Sequence, residues 1–270
     1  MKFSFSKVEC FKNCPYHFKL RYLDRLTTYK DYTDPANPLV IGTAMHHGIE
    51  KNVAEAVKEY LNYYPIVTDE HYNEVIKLEN LIPKVKALML NLPEDVTFEY
   101  ELRDGDKFLG YIDLLIHNVQ DDTYSIYDFK YSNNVDHYLE SAQIHLYKYM
   151  FEKLTGNKVK HIGYIFIPKI SIRQKKTEDL YQFRVRLQEE LDKAQPFVKK
   201  VEYNCKKVVD FFSIIDDISN CKNFPKNTNK LCAWCEFRGF CEDNNNDLDI
   251  DWEETPFDSY KDYLGKGDLK

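Results

Sequence analysis

Four side chains suited to metal binding and proton handling lie in three separated stretches: His46 in IGTAMHHGIE, Asp113 in GYIDLLI, and Asp128 with Lys130 in YDFKY. Phosphodiester hydrolysis needs a hard divalent cation that polarises a phosphoryl oxygen and activates a water, and a nearby ammonium can orient that water or stabilise developing charge. Asp128 and Lys130 stand two apart on a predicted strand, so their side chains leave one face together with Ile126. If the preceding hairpin turns around Gln120 to Asp122, antiparallel registration sets Asp113 opposite Asp128 or Lys130. Either pairing brings both carboxylates within reach of one metal. Asp-x-Lys triplets are also common on half-exposed strands as plain ion pairs, so context must carry the reading. His47 competes with His46, and only the Gly-x-x-x-His spacing favours His46.

The elements around these residues are predicted from hydrophobic period. TFEYELR, KFLGYIDLLIHNV and TYSIYDFKY are rich in aromatic and β-branched residues and separated by Asp-Gly and Gln-Asp-Asp signals, which reads as an antiparallel meander. Upstream, residues 6 to about 26 read as helical from a Ser6/Glu9 capping box, with Pro15 breaking the run and Cys14 at the junction. After the loop TTYKDYTDPANP come a helix from Thr43 to about Tyr60 and another from Asp69 to Leu90 that Pro83 should kink or split. Downstream, a helix from about Val135 to Leu154 carries Gln143 and Tyr147, and HIGYIFIP reads as a buried strand. Beyond Pro168, polar and apolar positions alternate through DLYQFRVRL before a helical stretch to about Ser219.

A second constellation is built from sulfur. The chain has seven cysteines and no export signal, so metal ligation is the better reading of the tight group in LCAWCEFRGFC than a disulfide framework. Cys232, Cys235 and Cys241 need a fourth ligand; Cys14 is the first candidate and Cys10, one turn earlier, the second. Zn2+ and a [4Fe-4S] cluster both accept four thiolates, and spacing does not separate them. Ring closure through Cys14 would cross-link almost the whole chain.

Composition sets the frame. A chain of 270 residues that is 43% hydrophobic and 15% aromatic supports one substantial core. No apolar run is long enough to span a bilayer, which leads to the expectation of a cytoplasmic protein without a membrane partner. A formal charge of -7 argues against coating DNA by bulk electrostatics. Local basic segments, KISIRQKK and Lys199, Lys200, Lys206 and Lys207, could still line a channel for a single strand, although solvated faces are the plainer reading. Residues 242–270 are acidic and Asn/Asp-rich and are expected to form a loosely ordered tail.

The order of motifs resembles the RecB-like branch of the PD-(D/E)XK nucleases, whose motifs read Gly-Thr-x-x-His-x-x-x-Glu, Gly-x-Ile-Asp, Asp-x-Lys and Gln-x-x-x-Tyr. The chain carries Gly42, Thr43, His46 and Glu50; Gly110, Ile112 and Asp113; Asp128 and Lys130; and Gln143 and Tyr147. The resemblance implies an α/β, restriction-endonuclease-like core, a mixed central sheet flanked by helices, with an added helical region bearing a cluster. It implies that His46, Asp113, Asp128 and the carbonyl of Phe129 bind Mg2+ or Mn2+, that Lys130 positions the attacking water, and that Gln143 and Tyr147 support the site or contact DNA. Glu101, or Glu99 on the same face of its strand, is a candidate outer carboxylate. Relatives such as the CRISPR-associated exonucleases hold a [4Fe-4S] cluster through one N-terminal cysteine and a C-terminal Cys-x2-Cys-xn-Cys, which here maps to Cys14, Cys232, Cys235 and Cys241, with Zn2+ as the alternative. A single nuclease domain over 1–241 follows, acting as an exonuclease on single-stranded DNA ends. A competing reading is a non-catalytic adaptor in a recombination, repair or CRISPR-adaptation assembly, and a separate helicase, recombination or CRISPR-adaptation protein is the expected partner.

Overall fold

The computed structural model describes residues 1–90, 92, 95–242, 250–256 and 259. In chain order its elements are α1 (Phe5–Asn13), α2 (Pro15–Phe18), a π-helical turn (Lys19–Leu23), α3 (Pro38–Glu50), α4 (Val53–Asn62), α5 (Asp69–Met89), β1 (Val96–Asp104), β2 (Phe108–Asn118) and β3 (Thr123–Tyr131). There follow α6 (Val135–Leu139), α7 (Gln143–Thr155), β4 (Val159–Ile167), α8 (Leu180–Lys193), β5 (Phe197–Val201), α9 (Cys205–Asn220), a 3₁₀ turn (Lys230–Trp234) and α10 (Arg238–Glu242). The chain divides into two compact units. One takes Met1–Asp31, Gly105–Leu109 and Val209–Lys270; the other takes Tyr32–Asp104 and Gly110–Val208.

The second unit is organised by a five-stranded mixed sheet in the order β1-β2-β3-β4-β5. β2 and β3 are antiparallel, β3 and β4 parallel, and β4 and β5 antiparallel. The parallel step requires a crossover, which α6 and α7 supply. Alternation along the strands sends Leu114, Ile116, Tyr127, Phe129, Ile165 and Ile167 into one core with residues of α3, α4, α5 and α8. α7 buries Ile144, Leu146, Met150 and Phe151 and packs on β1, β3 and β4. The Lys84 ammonium of α5 donates to the carbonyls of Leu191 (2.6 Å) and Ala194 (2.9 Å), satisfying carbonyls left open at the end of α8.

Several predicted boundaries change. The cap of α1 is Ser4, which accepts from the Lys7 amide, rather than Ser6. The helix expected over Thr43–Tyr60 is two helices. α3 begins earlier, at Pro38, where the missing N–H costs nothing, with Asn37 accepting from the Leu39 amide; α4 restarts because Asn52 caps it through the Glu55 amide. α5 runs unbroken through Pro83. That residue is exposed while Leu78, Leu81, Ile82 and Val85 are buried, so packing holds the turns on both sides of it. The helix expected over Val135–Leu154 breaks before Gln143, whose amide donates to Ser141 Oγ at 3.2 Å. DLYQFRVRL is part of helix α8, capped reciprocally by Asp179 and Gln182, with Phe183, Leu187 and Leu191 buried at a four-residue spacing. β5 lies within the stretch read as helical, and its residues are almost all exposed.

In the first unit Cys14 sits at the predicted junction, in extended conformation between α1 and α2. Leu20, Leu26, Phe237, Phe240 and Ile250 form one buried cluster in it, with Tyr16 and Trp252 against it. Part of the acidic C-terminal stretch is placed here: Ile250 bridges to Thr28, and the Asp251 amide donates to the Thr27 carbonyl at 2.8 Å. The expectation of a loosely ordered tail otherwise falls on 243–249, 257–258 and 260–270, outside the described residues.

Candidate active site

β2 and β3 pair in register from Asn118↔Thr123 to Leu114↔Tyr127, and one further step along that register stand Asp113 and Asp128. Where regular pairing ends, the Phe129 amide donates to Asp113 Oδ2 at 2.8 Å. A side chain thus supplies the acceptor that a backbone carbonyl would supply further down the ladder, and this holds the carboxylate in place. Burial, and then the neighbouring Asp128, push the Asp113 carboxyl up to about 7, against the pull of His46, Lys130 and the Phe129 amide.

His46 approaches from α3. Its Nδ1 lies 3.6 Å from Asp113 Oδ2 and 3.9 Å from Glu99 Oε1, and its ring meets that of Phe129 edge-on, centroids 5.7 Å apart. Burial disfavours the imidazolium, but Glu99, Asp113 and Asp128 outweigh it and raise the His46 pKa. His47 is turned away and pairs with Glu59. Ligand atoms of His46, Glu99 and Asp113 all lie within 4.8 Å of one another, the one such group of three or more among the described residues.

Glu99 occupies the left-handed region, with φ +49°. For a residue with a Cβ this costs about 1–3 kcal/mol and persists only where surrounding structure imposes it. Glu101 is engaged elsewhere: its carboxylate takes the Arg103 guanidinium at 2.5 and 3.0 Å and the Tyr111 hydroxyl at 3.2 Å. Simple alternation makes the two glutamates equivalent. A single left-handed residue separates them, and nothing in the residue type announces it.

Asp128 is almost wholly buried, and its Oδ2 has the Lys130 ammonium at 2.5 Å but no well-directed hydrogen bond. Lys130 also donates to Gln143 Oε1 at 3.2 Å, and Gln143 Nε2 donates to the Tyr147 hydroxyl at 3.2 Å. Burial works against the Lys130 charge, yet Asp128 and Asp113 hold its pKa above the ordinary lysine value. The His46 imidazole and the Glu99 and Asp113 carboxylates, with the buried Asp128 carboxylate next to Asp113, form a donor set that fits a hard divalent cation. Cation binding would favour the ionised form of Asp113.

The four cysteines of the second constellation lie in the first unit, all half-buried and unbridged. Their sulfurs do not converge to ligand spacing among the described residues. Three have local partners instead: Cys14 Sγ accepts from the Asn227 amide at 3.5 Å and Cys232 Sγ from the Asn229 amide at 3.4 Å, while Cys235 Sγ lies 3.9 Å from His17 Nδ1. They are near enough to interact: burial first, then Cys14, Cys235 and Cys232, raise the pKa of Cys241. Burial pushes the Cys10 thiol up to about 12.

A sequence model of the PD-(D/E)XK nuclease superfamily matches residues 2–242. The chain belongs to the PD-(D/E)XK nuclease superfamily. Among curated proteins, none matches it. Superfamily membership implies a nuclease hydrolase with a nucleic-acid substrate, and the five-stranded mixed sheet flanked by helices is consistent with a restriction-endonuclease-like fold. Among the described residues, no helix of this superfamily member is long and apolar enough to cross a membrane.

Proposed function

We propose that the chain is a Mg2+- or Mn2+-dependent deoxyribonuclease of the RecB-like iron-sulfur branch, acting as an exonuclease on single-stranded ends. The observation that carries the reading is the convergence of His46, Glu99 and Asp113 on one point, beside the buried Asp128–Lys130 pair. His46, Asp113, Asp128 and the Phe129 carbonyl hold the cation, and Glu99 takes the outer position first considered for Glu101. The cation supplies Lewis-acid polarisation of the phosphoryl oxygen and a more acidic water. Lys130, held between Asp128 and Gln143, orients the attacking water, and Tyr147 fixes Gln143. Gln143 and Tyr147 also border the DNA backbone.

Cys14, Cys232, Cys235 and Cys241 hold a structural [4Fe-4S] cluster, with Zn2+ as the alternative, and this requires the sulfurs to draw together on loading. Soft donors at Cys-x2-Cys-x5-Cys spacing support that reading. The protein works in the cytoplasm, in DNA repair, recombination or CRISPR adaptation, alongside a separate helicase or recombination protein. The deciding assay uses labelled single- and double-stranded DNA with Mn2+ or EDTA and an Asp128→Ala control. Mn2+-dependent shortening from the ends, absent in the variant, is expected; DNA left intact with Mn2+ present overturns the enzymatic reading in favour of a binding or adaptor role.

A further inference from the structure

The 3₁₀ turn that carries Cys232 also presents a second side. The Cys235 amide bonds the Cys232 carbonyl at 3.3 Å, the three-residue closure of this geometry, in which positions i and i+3 eclipse. Cys232 and Cys235 therefore share one side and Leu231 and Trp234 another. Leu231 is 51% exposed and Trp234 81% exposed. Exposure of a ring this large forgoes much burial energy. The other tryptophan of the chain, Trp252, packs against the Leu20, Leu26 and Phe237 cluster, so exposure is specific to Trp234.

The turn is anchored. Asn229 Oδ1 accepts from the Leu231 amide at 2.8 Å, while the side-chain amides of Asn227 and Asn229 donate to the Asn13 carbonyl at 2.9 and 3.0 Å. The Tyr16 amide reaches the Pro225 carbonyl at 3.2 Å. An anchored aromatic loses little freedom on binding. Charge narrows the partner: Lys222 and Lys230 are exposed in the same stretch, whereas Lys226 donates to the Cys241 carbonyl and Arg238 pairs with Glu242 at 3.0 Å, in a chain of net charge -7. Both acids of that stretch are engaged, Glu236 by His17 at 3.0 Å and Arg21 at 2.9 Å, and Glu242 by Arg238. One exposed ring in a stretch whose two acids are paired and whose Lys222 and Lys230 are exposed suits a nucleobase followed by phosphates better than a protein surface, which calls for a wider apolar patch.

We propose that Trp234 is a stacking platform for one base of a single-stranded nucleic acid, a binding site built on residues other than His46, Glu99, Asp113 and Asp128. The choice of nucleic acid as ligand rests on the nuclease reading. In the full chain carrying Trp252→Phe, Trp234 is the sole tryptophan, and its emission is titrated with oligothymidylate in EDTA, so that binding occurs without cleavage. Saturable quenching that weakens with added salt is expected. Trp234→Ala should lower affinity, measured by anisotropy of labelled oligothymidylate, by about five- to a hundredfold, the range for one stacked base, and Trp234→Tyr should restore most of it. If Trp252→Phe does not fold, the difference in emission between the parent and Trp234→Phe serves instead. Unchanged emission at saturating oligonucleotide, or Trp234→Ala binding as tightly as the parent, overturns the proposal. Mn2+-dependent hydrolysis of bis(p-nitrophenyl) phosphate, which has no base to stack, separates the two readings. Hydrolysis without quenching removes the platform alone, whereas quenching without hydrolysis removes the nuclease reading and leaves the platform standing.

Discussion

Asp113 and Glu99 show how much depends on where one carboxylate points. Both lie beside His46 Nδ1, whereas Glu101, two positions along β1, is committed to Arg103 and Tyr111. Glu99→Gln should weaken Mn2+ binding by roughly 10–100-fold, measured by calorimetry, while Glu101→Gln leaves it nearly unchanged. Lys130→Met should lower the cleavage rate by roughly a hundredfold or more with DNA affinity retained, because it removes the group that orients water without removing a metal ligand. His145 gives a stability prediction remote from the chemistry. It is 1% exposed and accepts from the Asn204 amide at 3.2 Å, and burial, then Lys207, hold its pKa down at about 4. The unfolded chain protonates this histidine near 6.5 while the folded chain resists, so stability is intact above about 6.5 and is lost as pH falls toward 4. The urea midpoint of the parent should fall more steeply between these limits than that of His145→Gln.

Among the elements, α3 has the narrowest tolerance, since it brings His46 to the strands and also packs against α4 and α5. A Cβ at Gly48 would lie 2.7 Å from the Ala56 Cβ and closer still to Ile82 Cδ1. Gly48→Ala gains up to about 1 kcal/mol of helix propensity but overpacks a buried contact, which costs about 1–3 kcal/mol. A lower denaturation midpoint is expected, with lower activity through displacement of His46. The predicted strands β1 to β3 were legible from aromatic and β-branched runs between turn signals, β4 from a continuous apolar run, and the helical character of α5 from apolar residues recurring on one side. Boundaries were less so. Asn52 and Ser141 interrupt apolar patterns with side-chain hydrogen bonds rather than with Gly or Pro, and β5 is an edge strand with no buried face to mark it.

For the molecule as a whole, the two constellations fall in separate units, the acidic one in the sheet unit and the cysteines in the unit that joins both ends of the chain. If the four cysteines share one ion, Cys14→Ser and Cys232→Ser should each lower the melting temperature, and the double variant should lose little more than either single one. Additive losses would mean separate cysteines. A brown preparation containing iron and sulfide favours the cluster; a colourless one containing zinc favours Zn2+.

Residue types and spacing along the chain were sufficient to point to the metal chemistry, the strand bearing Asp128 and Lys130, the helix pair Gln143 and Tyr147, and the junction at Cys14. These depend on local periodicity and on the two-residue rule of a strand, which any reader of the chain can apply. His46 was preferred to His47 from spacing alone, but the choice of Glu99 over Glu101 and the outward face of Trp234 required the folded chain. Each turns on which groups from distant segments come within a few ångströms, or on one backbone angle at a non-glycine residue, and neither quantity is written in residue order.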